Sequence, residues 1–474
     1  MLLCRANWES GSSIEIVAVT DSDPKLWGQK CFDRPIIPPD SALCNRSIPV
    51  CIDVSSSSAI ASIRDRLIQE YHIPAKNLVE YSTLLMQIWE TGKTADLLRK
   101  GYVQIMARPV SIINDCNMGL GLGGIESWSN MLCSKLRERG WENLRIYVNS
   151  ELRTETLTGE WAPLSECVDW VGGSPGSGRG PDLDTLRYLA ERMPCIIIAN
   201  SEETLCAACV LKKLYPGGVR IVSVLHSGLE TSYRSRARLK NYVDQFVVVS
   251  TDGLRAMVER GCGKEQLRCM QIPFDCEERL ERSYSEYDAL PVKIGYAGRL
   301  ERTQKRVDLL LRLIQSLVCK GLNFHMEIAG TGAYENTVRD FVKKQMNGKV
   351  SMLGRLPREG MPGFWRNQDI CVNLSDFEGR SISVTEAMGN GAVPVVTDVS
   401  GVRDDIVDGV NGYIVPVGDY RTAADRIELL ARNRGRLREM GRAAHDEVYP
   451  KSLIEPHIQF WEEILSRMAA QTRF

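Results

Sequence analysis

The chain has 474 residues, with 59 Lys and Arg against 60 Asp and Glu for a formal charge of −1. That length suits about two or three domains. The near-neutral balance excludes a generally basic nucleic-acid binder and an acidic disordered chain. With 43% hydrophobic and 25% charged residues, the composition is that of a globular protein with a large core. No apolar run approaches the ~18 residues of a membrane span. The opening MLLCRANWES lacks an apolar h-region, so no secretory signal is expected.

Short β-branched runs alternate with longer amphipathic stretches. Strands are predicted at Ile14–Val19, Val110–Ile113, Arg145–Val148, Ile196–Ala199, Arg220–Leu225 and Phe246–Val249. Further on they are predicted at Val292–Tyr296, Phe324–Ile328, Ile370–Leu374, Val393–Thr397 and Gly412–Val415. Helices fall between, at Ile125–Arg139, Leu183–Glu191, Val307–Lys320 and Val384–Asn390. Strand–helix–strand repetition means an α/β protein with parallel sheets. Residues 1–105 form a first unit, with VCIDVSS as a strand and IASIRDRLIQEYHI as a helix. A second unit runs from 106 to 287 and closes on a polar linker, Glu277–Asp288. A third occupies 288–450, and 451–474 reads as an amphipathic terminal helix.

The 15 cysteines and five histidines are scattered. The one CxxC, Cys206–Cys209, sits in the helix-like ETLCAACVLKKL. Core filling is expected there rather than a metal or redox centre.

Three features carry chemistry. After the strand VSII, Gly119, Gly121, Gly123 and Gly124 open a helix. Glycines there bring backbone N–H groups close to a phosphate or sugar, and the helix start adds its dipole. A nicotinamide site would want an acid about 20 residues on, and Glu151 comes late. A plain strand-to-helix turn is the bland alternative. Next, Arg299 and Lys305 flank one loop after the strand VKIGYA. Cations at the C-terminal end of a parallel strand reach the ligand crevice and suit a diphosphate, although a loop cation is commonly just solvated. Third, Glu378 and Glu386 stand around a helix start with seven residues between them. Free amides at Gly379–Ser381 would form an anion site, and a carboxylate one turn on can accept from a ribose diol. An acidic first turn is also a common stabiliser of any helix.

Residues from about 106 to 474 resemble GT-B glycosyltransferases of family 4, the large retaining group. The resemblance rests on GGIE at 123–126, VLHS around His226, VVVST at 247–251, GRLERTQKRVDLLLRL, EIAGTG and VSMLGRLPREGM. It continues through DFEGRSISVTEAMGNGAVPVVTDVSGVRDDIVDGVNGYIVP. It implies two Rossmann-like domains facing a cleft, with the terminal helix packed back on the N-terminal lobe; residues 1–105 lie outside the resemblance and are expected to be an N-terminal Rossmann-like α/β appendage. Arg299 and Lys305 would neutralise a nucleotide diphosphate. Glu386 would hold the ribose. Glu378 and the amides of Gly379, Arg380, Ser381 and Ile382 would bind donor sugar and phosphate. Gly123 and Gly124 would close on them from the facing domain. Leu353, Gly354, Arg355 and Leu356 would face the base. His226 would hydrogen-bond the donor sugar near its anomeric carbon, though a lone His after a strand is commonly structural.

The implied activity is hexosyl transfer from a UDP- or GDP-sugar to a glycan or lipid-linked acceptor, as in cell-surface polysaccharide or lipopolysaccharide synthesis. No cofactor, metal or nucleic acid is expected, and the place is the cytoplasm. The alternatives are a GT-B sugar-nucleotide epimerase, a non-catalytic nucleotide-sugar-binding module and a nicotinamide oxidoreductase. Two departures stand out: Arg380-Ser381 replaces the usual Phe-Gly, and Ile272-Pro273-Phe274-Asp275 lacks the usual Asn-Gly. Arg380 would touch a charged acceptor or lie in solvent. The basic run Tyr233–Lys240 would meet anionic lipid at the inner face of the plasma membrane, or an anionic glycan, or solvent alone.

Overall fold

A computed structural model describes residues 109–116, 120, 123–148, 159–171, 182–280, 282, 284, 290–345 and 348–472. Before residue 109 it describes 19–20, 30–31, 34–38, 50–52, 66–74 and 78–80. In those pieces β1 (Val19–Thr20), β2 (Lys30–Cys31) and β3 (Arg34–Ile37) share one sheet. Strands β4 (Val50–Ile52) and β5 (Leu78–Glu80) pair in parallel beside a small cluster of Leu67, Ile73 and Leu78. The rest of the strand expected at 14–19 and of the helix expected at 60–73 lies outside the described residues.

Two larger α/β lobes follow. In the first, β6 (Ser111–Asp115), β7 (Leu144–Val148), β8 (Val168–Trp170), β9 (Cys195–Ala199), β10 (Val219–Leu225), β11 (Gln245–Val248) and β12 (Leu267–Cys269) build one sheet. Its order is β12-β11-β10-β9-β6-β7-β8, and every pairing is parallel. The second lobe has β13 (Val292–Ala297), β14 (Phe324–Ala329), β15 (Val350–Gly354), β16 (Ile370–Asn373), β17 (Val393–Thr397) and β18 (Tyr413–Val415). Its order is β15-β14-β13-β16-β17-β18, again all parallel. Within each lobe the order is third, second, first, fourth, fifth, sixth, with a seventh strand added at that edge in the first lobe, the doubly wound arrangement. It leaves a crevice outside the strand C-termini where the order reverses.

These strands are legible in sequence because both faces of the sheet are covered, so each strand is a continuous apolar run. Ile196 and Ile198 enter one core while Ile197 and Ala199 enter the opposite one. Three strands break the pattern and were not expected: β8, β12 and β15. All three are edge strands. Only Val168, Leu267 and Val350 are fully buried in them, so no apolar run announces them.

The helices that position the site are α1 (Gly124–Glu138), α2 (Asp182–Glu191), α3 (Glu202–Leu214), α4 (Glu230–Arg238) and α5 (Thr251–Glu259) in the first lobe. In the second they are α6 (Val307–Cys319), α7 (Glu335–Gln345), α8 (Met361–Arg366), α9 (Ile382–Gly389), α10 (Tyr420–Arg432) and α11 (Arg434–Ser452). Cys206 and Cys209, on α3, are fully buried in the first lobe's core and unpaired.

The last helix, α12 (Ile454–Gln471), returns to the first lobe. Ile458, Trp461, Leu465 and Met468 form a helical stripe inside that lobe's core. Arg139 meets Glu455 at 2.5 Å and Glu462 at 3.3 Å. The expected start at residue 451 shifts to 454 because Lys451 still belongs to α11. The chain turns at Leu453, whose backbone is extended, and Pro456 sits in the new first turn where no intrahelical N–H is needed.

The expected linker is not solvated throughout. Arg282 pairs with Asp369 at 3.3 Å with both side chains 2% exposed. Tyr284 is buried and donates to Gly391 O at 3.0 Å. The second lobe therefore begins by Arg282 rather than 288.

Candidate active site

The site lies where the two crevices face each other. In the second lobe two loops are stitched together. One follows β13 and carries Arg299 and Lys305; the other follows β16 and carries Glu378. Asp376 N donates to Gln304 O at 2.9 Å, and Gln304 Nε2 donates to Phe377 O at 3.1 Å. Arg306 holds the left-handed conformation, φ 47°, at a cost of roughly 1–2 kcal/mol. Its guanidinium spans both Asp376 oxygens at 2.7 and 2.9 Å and also pairs with Asp308, which fixes the turn just after Lys305.

Within this frame Lys305 Nζ meets Glu378 Oε1 at 2.5 Å. Gln304 Nε2 donates to Glu378 Oε2 at 3.1 Å, and the Ser375 hydroxyl lies 2.7 Å from Oε1. The Glu378 carboxylate is thus largely saturated by protein donors. Arg299 is 66% exposed and steadied by Gln304 at 2.7 Å and Glu301 at 3.1 Å. Gln304, Ser375, Arg306 and Asp376 were not singled out from sequence. Their signal is a density of polar residues at the C-terminal ends of two neighbouring strands.

Helix α9 starts in this loop with no side-chain cap. The amides of Gly379, Arg380, Ser381, Ile382 and Ser383 have no acceptor among the described residues. Such amides, with the helix dipole, form an anion site. Arg380 corrects the sequence reading. Its side chain neither lies in solvent nor remains free for a charged acceptor. Nε and Nη2 grip Asp405 at 2.8 and 2.6 Å, with exposures of only 5% and 4%. Lys451 Nζ joins Asp405 at 3.1 Å. Only the backbone of Arg380 remains for a donor.

The lobes meet through glycines. A Cβ on Gly379 would lie 2.0 Å from His226 O, and one on Gly228 would lie 2.0 Å from Glu378 O. A Cβ on Gly124 would fall 2.9 Å from Ile382 Cδ1. Gly123 is covered by the Glu126 side chain, whose carboxyl is raised by burial against the pull of Arg299. Gly119, Gly121 and Glu151 lie outside the described residues. A second set of contacts holds the lobes together beside the site. Thr251 N, at the start of α5, donates to Asp404 Oδ2 at 2.8 Å, and the Ser250 and Ser400 hydroxyls lie 3.1 Å apart.

His226 follows β10 and packs edge-on against Trp128, with ring centroids 5.0 Å apart. Its Nε2 lies 2.9 Å from Asn200 Oδ1. Burial, with Arg236 adding repulsion, pulls its pKa down to about 3, so the ring is neutral. Glu386, on α9, is half-buried, and its desolvation pushes its carboxyl up to about 7 against the opposing pull of Arg358 and Trp365. Arg358 reaches the first lobe at Ser127 O, 3.5 Å. At the end of β15, Leu353 and Arg355 are exposed, Gly354 takes φ +65°, and Leu356 packs beside the Phe274 and Trp365 cluster. The structure therefore gathers Gly124, His226, Arg299, Lys305, Glu378, Gly379 and Ile382 at one cleft. Glu386 and the 353–356 turn lie along the second lobe beside it.

The basic run also needs correction. Arg236 is 7% exposed, Tyr233 is buried and Lys240 Nζ donates to Arg260 O at 3.1 Å. The run does not form one exposed cationic face, because α4 turns Arg236 inward. It gives no support to membrane contact. Among the described residues no helix is long and apolar enough to cross a membrane, and no group of three or more His, Cys, Asp or Glu side chains is placed to hold a metal ion.

Paired doubly wound lobes with the site between them define the GT-B class of glycosyltransferases, and the structural neighbours agree. HepE of Anabaena, solved with UDP and glucose, superposes with a TM-score of 0.60 at 17% identity over 76% of this chain and 100% of that one. Sucrose-phosphate synthase of Thermosynechococcus elongatus gives 0.60 at 16%, over 76% and 99%. Residues 282–447, most of the second lobe, match the family model of glycosyl transferases group 1. The capsular polysaccharide biosynthesis glycosyltransferase CapM of Staphylococcus aureus is 27% identical over 194 residues, 40% of this chain and 48% of that protein. The putative colanic acid biosynthesis glycosyltransferase WcaL of Salmonella typhimurium is 23% identical over 255 residues, 50% and 61%. The chain thus spans about half to three-fifths of the length of these curated relatives.

Proposed function

We propose that this chain transfers a sugar from a nucleotide-sugar donor, UDP- or GDP-linked, to a glycan or lipid-linked acceptor of a cell-surface polysaccharide. The observation that carries this reading is the convergence of Lys305, Arg299 and the unpaired amides of residues 379–383 at one edge of the inter-lobe cleft. Positive charge and oriented N–H groups are what a departing nucleoside diphosphate needs. In the reaction the bond between the sugar C1 and the phosphate oxygen breaks, and its electron pair leaves with the diphosphate. The acceptor hydroxyl forms the new bond to C1, and its proton passes to the departing diphosphate oxygen. Lys305 and Arg299 stabilise the charge that develops on the leaving oxygen. In this reading they do so without a resident metal, and the anomeric configuration is retained. Glu386 holds the ribose, the 353–356 turn faces the base, and His226 meets the sugar beside C1. Glu378 keeps Lys305 in place, with its backbone and the following amides turned to the donor. The names of the relatives favour capsular or exopolysaccharide acceptors, and HepE, solved with UDP-glucose, favours a uridine donor. We assign the reaction to the cytoplasm, where unpaired thiols stay reduced.

A thermal-shift panel of UDP- and GDP-sugars tests the donor. A true donor at 100 times its Kd adds about 2.7 kcal/mol of stability. Product analysis with and without acceptor glycans then separates transfer from epimerisation. Absence of binding by every UDP- and GDP-sugar would overturn the proposal.

A further inference from the structure

We infer that Asn200 is a positioning residue that locks His226 as the neutral Nε2–H tautomer, leaving its Nδ1 lone pair for substrate. The inference deepens the reading above by defining what His226 can offer in the cleft.

The argument starts from an atom of unambiguous chemistry. Asn200 Nδ2 lies 2.6 Å from the backbone carbonyl of Asp115 and 3.2 Å from Asn114 Oδ1. A backbone carbonyl only accepts, so the Asn200 atom facing it is the amide NH2. The other terminal atom is then the carbonyl oxygen, which also only accepts. It lies 2.9 Å from His226 Nε2. His226 Nε2 must therefore carry the hydrogen. No described residue hydrogen-bonds Nδ1. A neutral ring with Nε2–H has a bare Nδ1, an acceptor and nothing else.

The lock is itself locked. Asn200 stands just past β9, beside the end of β6, and its backbone is held on both sides. Its N–H donates to Asp115 Oδ2 at 3.2 Å, and its carbonyl accepts from Arg236 Nη2 at 2.6 Å. Arg236 Nη1 adds the Ser223 hydroxyl at 2.9 Å and Ala199 O at 3.4 Å. The guanidinium is therefore built into the base of the site, and its charge opposes protonation of the ring. Trp128 closes one side of the imidazole and donates its own Nε1–H to His457 Nε2 at 3.0 Å. His226 thus accepts a hydrogen bond from a substrate hydroxyl and does not serve as a cation or general acid.

Nitrogen NMR of the full chain with labelled histidine tests this directly, with His226→Gln assigning the signal. The expected His226 pattern is a protonated Nε2 and a bare Nδ1 at neutral pH, with no ligand required. Asn200→Ala should abolish that preference and lower sugar transfer at least tenfold, while UDP still shifts the melting temperature as in the parent. A protonated Nδ1 in the parent chain, or an unchanged tautomer in Asn200→Ala, overturns the inference. The NMR result holds whichever substrate is turned over. Failure of every sugar nucleotide to bind counts against the proposed function and leaves the tautomer assignment standing.

Discussion

Lys305 Nζ and Glu378 Oε1 lie 2.5 Å apart, with the two side chains only 13% and 7% exposed. The pair joins two loops 73 residues apart. It places a cation beside the free amides of α9, so one contact serves both the stability of the cleft and its charge.

Replacing Lys305 should affect both properties. Lys305→Ala leaves a buried carboxylate with Gln304 and Ser375 as its remaining partners. Removing one member of a buried ion pair costs about 3–5 kcal/mol. Urea denaturation should show a loss of that size, with kcat/KM for transfer down at least 100-fold. Lys305→Ala combined with Glu378→Gln should regain stability without regaining activity.

The glycine seam predicts a steric block. Gly379→Ala and Gly228→Ala would each set a Cβ 2.0 Å from a backbone carbonyl of the facing lobe. Neither carbonyl can move without moving its loop, and overpacking of this kind costs about 1–3 kcal/mol. Both variants should keep their secondary structure by circular dichroism but bind a donor at least tenfold more weakly by calorimetry. Unchanged donor affinity in both would show that the lobes need not approach as closely as they do here.

Glu386 predicts a pH dependence. Its folded pKa is raised to about 7 from an ordinary 4.5. Between those values the folded chain binds more protons than the unfolded one, so stability falls as pH rises from 4.5 to 7. The span corresponds to about 3 kcal/mol. Glu386→Gln cannot ionise and should flatten that part of the stability curve. Melting measured from pH 4.5 to 8 in the two proteins checks this, and equal slopes would contradict it.

Arg380 predicts a separation of roles. Arg380→Ala breaks the bidentate pair with Asp405 and should destabilise the fold by about 3 kcal/mol. Because the side chain is committed to Asp405, the donor KM should stay within about twofold at temperatures well below melting. A large rise in KM with intact stability would return Arg380 to the donor site.

The interior strands and the succession of motifs along the chain were legible in the sequence. VSII, IIIA, RIVSVL, VKIGY and ICVNL read as strands because both faces of each sheet are covered. The cations Arg299 and Lys305 and the carboxylates Glu378 and Glu386 were legible because each loop follows such a strand. The edge strands β8, β12 and β15 were not, since half-exposed strands leave no apolar run.

By itself, then, the amino-acid order determined an α/β chain with parallel sheets, a glycine loop after one strand, a cationic loop after another, and a helix start with free amides. These are local properties, set by periodicity and by residues a few positions apart. Only the tertiary structure decided which polar groups meet. Arg380 and Asp405 are 25 residues apart, Asn200 and His226 26, and Trp128 and His457 329. In sequence each is an isolated polar or aromatic residue whose side chain could face water. Folding removes the water, and a buried polar group must then find a partner. That requirement drew Arg380 away from the cleft and Arg236 off the surface. It also gave His226 one fixed tautomer, which no spacing along the chain could reveal.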